Sequence, residues 1–104
     1  MHEFEDTHDR PVRFTKERRE HLEGSHPEMR GQLERIAETL REPAQVVRSR
    51  TDPAVELFYR RYTSTPVTTK YLCAVVKRDQ GDAFLVTAYF TDSIKRGDVL
   101  WKRT

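Results

Sequence analysis

Tyr71-Leu72-Cys73-Ala74-Val75-Val76-Lys77, then the turn residues Arg78-Asp79-Gln80-Gly81-Asp82, then Phe84-Leu85-Val86-Thr87-Ala88-Tyr89-Phe90-Thr91 form the stretch on which the fold turns. Both arms are rich in β-branched and aromatic residues, and the turn residues between them mark a β-hairpin. A three-residue loop Asp79-Gln80-Gly81 places glycine at the left-handed position that a type I turn with a bulge requires. Arg78 then faces Asp82, and Leu72, Ala74 and Val76 share a face with Phe84, Val86, Ala88 and Phe90. Tyr71, Cys73, Val75 and Lys77 fall on the other face with Leu85, Thr87, Tyr89 and Thr91. A two-residue turn would push Lys77 among the core residues, at a desolvation cost of several kcal/mol, so the bulged register is expected. The hairpin thus has one apolar face that needs helices over it and one mixed face carrying hydroxyls and an ammonium.

Working outward, 104 residues suit one domain with a modest core. Charged residues make up 35% and hydrophobic ones 36%, so the interior is thin and two helices against one sheet would fill it. The net charge of +2 is nearly balanced and selects no partner by itself. The basic residues are mostly arginine, whose planar fork suits phosphate, although a compositional bias explains the same preference. Cys73 is the single cysteine, which excludes a disulfide framework and fits a reducing, cytoplasmic setting. No apolar run approaches the roughly 20 residues of a membrane span, and no signal-peptide pattern opens the chain.

Residues 1–11 carry His2, Glu3, Glu5, Asp6, His8, Asp9 and Arg10 with only Phe4 to bury, and read as a flexible N-terminal arm. Their histidines and carboxylates lack the helical i,i+4 spacing and the second cluster that would close a metal site, so no metal is expected. Residues 12–104 read as one domain. Val12-Arg13-Phe14 is extended, Thr15 is an N-cap, and Lys16 to Glu23 form a first helix that Gly24 ends. Ser25-His26-Pro27-Glu28 has the form of a capping box with proline in the first turn. A second helix is expected from His26 to about Leu40, its stripe of Met29, Leu33, Ile36, Ala37 and Leu40 meeting the hairpin. Arg41-Glu42-Pro43 ends it. Gln45–Ser49 and Val55–Arg60 then read as strands about the turn Thr51-Asp52-Pro53, and 63–69 as a polar loop leading to the hairpin. After Thr91, 92–98 is a compact turn and Val99-Leu100-Trp101 a last apolar segment, with Trp101 against the sheet edge. The expected fold is α+β, two N-terminal helices packed on a four-stranded antiparallel meander sheet.

Two histidines bracket the junction of the helices, His21 and His26. Either can serve structure alone, one at a helix C-terminus and one beside a capping serine. Arg48, Arg50, Tyr59, Lys77, Thr87, Tyr89 and Lys95 lie on strands or at strand ends, where an open sheet face can gather them. A histidine to move protons, cations to hold a phosphate and hydroxyls to orient it suit metal-free phosphodiester cleavage. No glycine-rich nucleotide loop and no hydrolase triad order is present, and Cys73 lies inside a strand without an activating neighbour.

His21-Leu22, Ser25-His26-Pro27-Glu28-Met29, Thr39-Leu40-Arg41-Glu42-Pro43, Val75-Val76-Lys77, the run from Val86 to Gly97 and Trp101 carry a resemblance. In this order and spacing they resemble the phage-associated branch of the barnase, EndoU, colicin E5/D and RelE-like (BECR-type) nuclease superfamily, over about Arg13 to Arg103. The resemblance implies helices on an antiparallel sheet of about four strands and metal-independent ribonuclease activity without a cofactor, often in toxins or phage-derived effectors. It implies RNA as partner, with tRNA one candidate, and an immunity or antitoxin protein as another. On that reading His26 is the first choice for general acid or base and His21 for the complementary step. Lys77, Arg50 and Lys95 neutralise phosphoryl charge, Thr87 and Tyr89 position the phosphate or stack on a base, and Tyr59 and Thr91 complete the substrate contacts. The competing expectation is a catalytically inactive RNA- or protein-binding module of the same fold.

Overall fold

The structure, a computed structural model, describes residues 2–68 and 70–103. Met1, Thr69 and Thr104, at the ends of the expected arm, loop and domain, lie outside the described residues. In chain order the elements are β1 (His2–Glu5), β2 (Pro11–Phe14), α1 (Lys16–Ser25), a short 3-10 turn (Pro27–Met29), α2 (Leu33–Arg41), β3 (Gln45–Arg48), β4 (Val55–Tyr62), β5 (Lys70–Asp79), β6 (Asp82–Thr91) and β7 (Asp98–Lys102).

The sheet has seven strands in the order β1-β2-β6-β5-β4-β3-β7 and is mixed, which corrects the expectation of a four-stranded antiparallel meander. Strands β3 to β6 run antiparallel to their neighbours in the middle. On one side β7 pairs antiparallel with β3, and on the other β2 joins β6 in parallel through Arg13 and Phe84. β2 and β7 take their places through pairings with β6 and β3 far along the chain, which local periodicity does not report.

The segment expected as a flexible arm supplies β1 and the turn to β2, and it buries both Phe4 and Asp6. Asp6 closes that turn, accepting from the backbone N–H of His8 at 2.8 Å and of Arg10 at 3.0 Å. Its other oxygen takes the Arg78 guanidinium of β5 at 2.7 Å and the Arg10 side chain at 2.9 Å. Arg78 also holds Glu56 of β4 at 2.8 Å. A buried carboxylate satisfied in this way fixes the N-terminal hairpin to the middle of the sheet. Sequence reasoning could not see this, because the arginine that neutralises Asp6 lies 72 residues away.

The central hairpin turns on two residues, not three. Asp79 faces Asp82, and Gln80 and Gly81 have φ of 48° and 83°, the pair of left-handed residues of a type I′ turn. The extra residue sits inside the strand: Val76 faces Leu85 but Val75 faces Thr87, leaving Val86 as a bulge. This bulge resets the alternation. Leu72, Ala74, Val76, Ala83, Leu85 and Ala88 point to the helices, while Lys77 faces Phe84 on the other side and pairs with Asp52 at 3.3 Å. Lys77 thereby escapes the desolvation cost expected of it in a two-residue turn.

The helices cover the face formed by Val12, Phe14, Val46, Phe58, Leu72, Val76 and Leu85, with Leu22, Met29, Ile36 and Leu40 as their buried contribution. Thr15 caps α1, its hydroxyl accepting from Arg18 N–H at 3.2 Å. The second helix departs from expectation. It begins at Leu33, because Gly31 takes φ +75° after the 3-10 turn and interrupts the helical run. The expected capping box does not form: Glu28 turns its carboxylate to the His26 imidazole.

Candidate functional site

Among the described residues, no helix packs on the other sheet face. A second, smaller apolar cluster of Val47, Leu57, Tyr59 and Cys73 lies there, with Val55, Tyr71, Val75, Tyr89 and Ile94 around it. Ile94 belongs to the 92–97 connection between β6 and β7, which crosses this cluster. Three features fix that connection. The backbone N–H of Lys95 donates to the Tyr59 hydroxyl at 3.1 Å, Lys70 pairs with Asp92, and Thr91 and Ser93 form a local hydroxyl turn. Gly97 then passes against β3 so closely that a β-carbon would lie 2.3 Å from the Arg48 carbonyl oxygen and 2.7 Å from Val47 Cγ1. Only glycine fits this approach.

Between this connection and the 49–51 turn the sheet face forms a pocket of about 370 Å³. Its floor is Val55, Leu57, Val75 and the side chain of Tyr89, with Thr87 beside it. Its rim is Ser49, Arg50, Thr51, Lys95 and Arg96. Arg50, Lys95 and Arg96 are exposed, and among the described residues none is in an ion pair. Among the described residues no carboxylate lines the pocket; the nearby Asp52 is taken up by Lys77 at 3.3 Å and the Ala54 N–H at 3.0 Å. These contacts hold the Asp52 carboxyl below its usual range, the backbone bond first and the Lys77 bond second. Uncompensated guanidinium and ammonium groups over an apolar floor make a site for an anion with an apolar body.

His26 stands at the edge of this site. It is the residue at which α1 ends, its own N–H donating to the Leu22 carbonyl at 2.7 Å. Its ring lies 5.8 Å from that of Tyr89, centroid to centroid, at 30°. Its Nδ1 is 3.3 Å from Glu28 Oε1. An Nδ1–H facing this carboxylate would leave the lone pair on Nε2, the form that accepts a proton. Because β2 meets β6 only near Phe84, the Tyr89 end of β6 is left for the α1 terminus to reach. Beside the floor, burial pushes the Cys73 thiol up to about 11 against the opposing influence of the Tyr89 and Tyr59 hydroxyls. Burial likewise raises Tyr59 to about 12 and raises Tyr89 as well. Both phenols stay protonated at neutral pH.

The chain matches no family model, no curated protein and no solved structure. The site is therefore read from its own chemistry.

Of the residues expected from the sequence, Arg50, Thr87, Tyr89 and Lys95 line one pocket, and His26 adjoins it through Tyr89. Lys77 shares their sheet face but is paired with Asp52 outside the lining. Tyr59 is fully buried and spends its hydroxyl on the Lys95 N–H, so it supports the pocket from beside its floor. Thr91 holds the start of the 92–97 connection. His21 is exposed on α1 and is not part of the lining. The sequence reading missed Arg96, Ser49 and Thr51 on the rim and Glu28 beside His26. The first three had only proximity to Lys95 and Arg50 as a signal, and Glu28 was assigned to a helix cap. Among the described residues, no helix is long and apolar enough to cross a membrane.

Proposed function

We propose that this protein is a metal-independent endoribonuclease whose site is the cationic pocket on the helix-free sheet face, with His26 as its general base. The observation that carries this reading is the 5.8 Å contact between the His26 and Tyr89 rings, which joins an oriented imidazole to a pocket of unpaired cations.

The chemistry follows from the groups present. His26 Nε2, with Nδ1 held by Glu28, takes the proton of a ribose 2′-hydroxyl. The O2′–P bond forms as the P–O5′ bond breaks, leaving a 2′,3′-cyclic phosphate and a 5′-hydroxyl. The departing 5′ oxygen takes its proton from solvent. Arg50, Lys95 and Arg96 stabilise the charge that grows on the phosphoryl oxygens, and they do so best in the transition state, where that charge is greatest. Dependence on the 2′-hydroxyl confines the reaction to RNA. The resemblance to the barnase, EndoU, colicin and RelE-like nucleases supports the same reading, as does a histidine at the start of the Pro27–Met29 turn.

The position of His26 at the edge of the pocket, outside its lining, favours a second reading, an RNA-binding module of similar build without catalysis. Incubation of the purified chain with end-labelled RNA in EDTA separates the two. Fragments ending in a cyclic phosphate, lost in His26→Ala, support the enzyme; retention of RNA with no cleavage supports the module.

A further inference from the structure

We infer that the pocket receives one unstacked nucleotide, its base on the Tyr89 floor and its phosphate at the Arg50, Lys95 and Arg96 rim, so that single-stranded RNA is the substrate and the inserted nucleotide is the one whose 3′ phosphate is cut. This rests on the reading of the face as an RNA site, and it adds what that reading leaves open: which form of RNA, and which sugar meets the base catalyst.

The floor selects a base. Val55, Leu57, Val75 and the Tyr89 ring form an apolar surface that a phosphate alone leaves uncovered, while a flat heterocycle covers it. Beside Tyr89, in its cross-strand row on the same face, stand Cys73 and Tyr59, both fully buried, so the floor is flanked by packed side chains. Thr87 is half-buried at this floor, and among the described residues its hydroxyl has no partner, which leaves it for a polar atom on the edge of a base. The volume of about 370 Å³ accommodates one nucleotide and excludes a duplex, given that ligand pockets span about 300–1,000 Å³. Bases inside an A-form helix are paired and stacked and cannot enter; loops and single strands can splay one out.

Connectivity selects the sugar. Tyr89 both lines the pocket and touches His26. The ribose joined to a base resting on Tyr89 is therefore the one nearest the imidazole, and its 2′-hydroxyl is the nucleophile for the phosphate on its own 3′ oxygen.

The test measures binding to the full chain by calorimetry, with nucleoside 3′-monophosphates, ribose 5-phosphate and inorganic phosphate as probes, and with 2′-O-methyl oligonucleotides, single-stranded or duplex, that cannot be cleaved. A nucleoside 3′-monophosphate is expected to bind at least about tenfold more tightly than ribose 5-phosphate, because stacking on an aromatic side chain contributes at that level. The single-stranded oligonucleotide is expected to outcompete the duplex. Tyr89→Ala should remove the base-dependent advantage and Tyr89→Phe should keep it, with circular dichroism reporting the fold of both. Equal affinity for inorganic phosphate and the mononucleotide, or equal competition by duplex, overturns the inference even if RNA is cleaved. Mononucleotide binding at this pocket without RNA cleavage sustains the nucleotide site, and overturns the assignment of the cut phosphate together with the catalytic reading.

Discussion

The backbone N–H of Lys95 donates to the hydroxyl of Tyr59 at 3.1 Å, from the β6–β7 connection to a fully buried phenol of β4. This bond converts a flat sheet face into a pocket. It holds the chain that carries Lys95 and Arg96 over the cluster of Leu57 and Cys73, opposite the turn that carries Arg50. Tyr59→Phe removes the acceptor while keeping the packing. We expect a small loss of stability, about 1 kcal/mol for one hydrogen bond with a buried partner, together with weaker RNA binding as the cations lose their placement. Thermal denaturation and filter binding measure the two effects separately.

His26→Ala should lower the RNA cleavage rate by about 10²- to 10⁴-fold, the usual contribution of a general base, with little change in RNA affinity. Glu28→Gln should lower kcat more than it raises KM and should alter the pH profile of kcat, since it frees Nδ1 from its carboxylate. His21→Ala should leave cleavage intact. A rate in His26→Ala equal to that of the unsubstituted chain would remove the catalytic assignment.

Arg50→Ala, Lys95→Ala and Arg96→Ala should each weaken RNA binding with little dependence on sequence. Removing one cation from a phosphate should reduce the slope of log K against log salt by about 0.7, as for single-stranded nucleic acid. Lys77→Ala, whose ammonium is paired with Asp52, should leave that slope unchanged. Titrations of fluorescent RNA at several salt concentrations provide the comparison.

Gly97→Ala places a β-carbon 2.3 Å from the Arg48 carbonyl oxygen. The connection must lift away from β3, at a cost of about 1–3 kcal/mol typical of overpacking, and the pocket rim lifts with it. We expect RNA binding to fall alongside a reduced Tm. Gly24→Ala, where a β-carbon meets nothing within 4 Å, is the control and should retain both.

Acid should unfold the N-terminal hairpin. Burial alone would raise the Asp6 carboxyl, but the N–H groups of Arg10 and His8 and the Arg78 guanidinium outweigh it, and the net effect is a value below the ordinary 3.8. A lowered acid contributes stability above pH 3.8 and loses it as pH falls through the folded value. Asp6→Ala should cost about 3 kcal/mol, the lower end for breaking a buried ion pair, since Arg78 keeps Glu56. It should also flatten the acid side of the stability profile. Urea midpoints from pH 7 down to pH 2 test both.

Alkali should act on the opposite face. Burial lifts Cys73 from 9.0 to about 11 and Tyr59 from 10.0 to about 12. Both are neutral when protonated, so their contribution is complete below pH 9 and disappears as pH rises through those folded values. Cys73 should resist alkylation at pH 8 in the native chain and react once urea unfolds it. Rapid native labelling would contradict the packed row beside the pocket floor.

Which segments pair locally was legible in the sequence, but which residues of the second hairpin arm face the helices was not: Leu85 lies in the core where Phe84 and Val86 were expected. The arms of the β5–β6 hairpin, the Thr15 cap and the Ile36–Leu40 stripe all follow from nearest-neighbour periodicity and turn chemistry, which act over a few residues. Thr87 and Tyr89 were also legible on one face, with Arg50 and Lys95 among the cations that an open face could gather. Where the sheet ends, where its bulge falls and which cations stay unpaired among the described residues follow from long-range packing. Asp6 becomes a buried anchor only because Arg78 reaches it, and Val86 takes the bulge only because Ala88 and Phe90 must return to the helices after a two-residue turn. Lys77 is paired with Asp52, while Arg96 has no ion-pair partner among the described residues. These outcomes depend on partners far along the chain, whose contact energies exist only once the whole sheet has assembled.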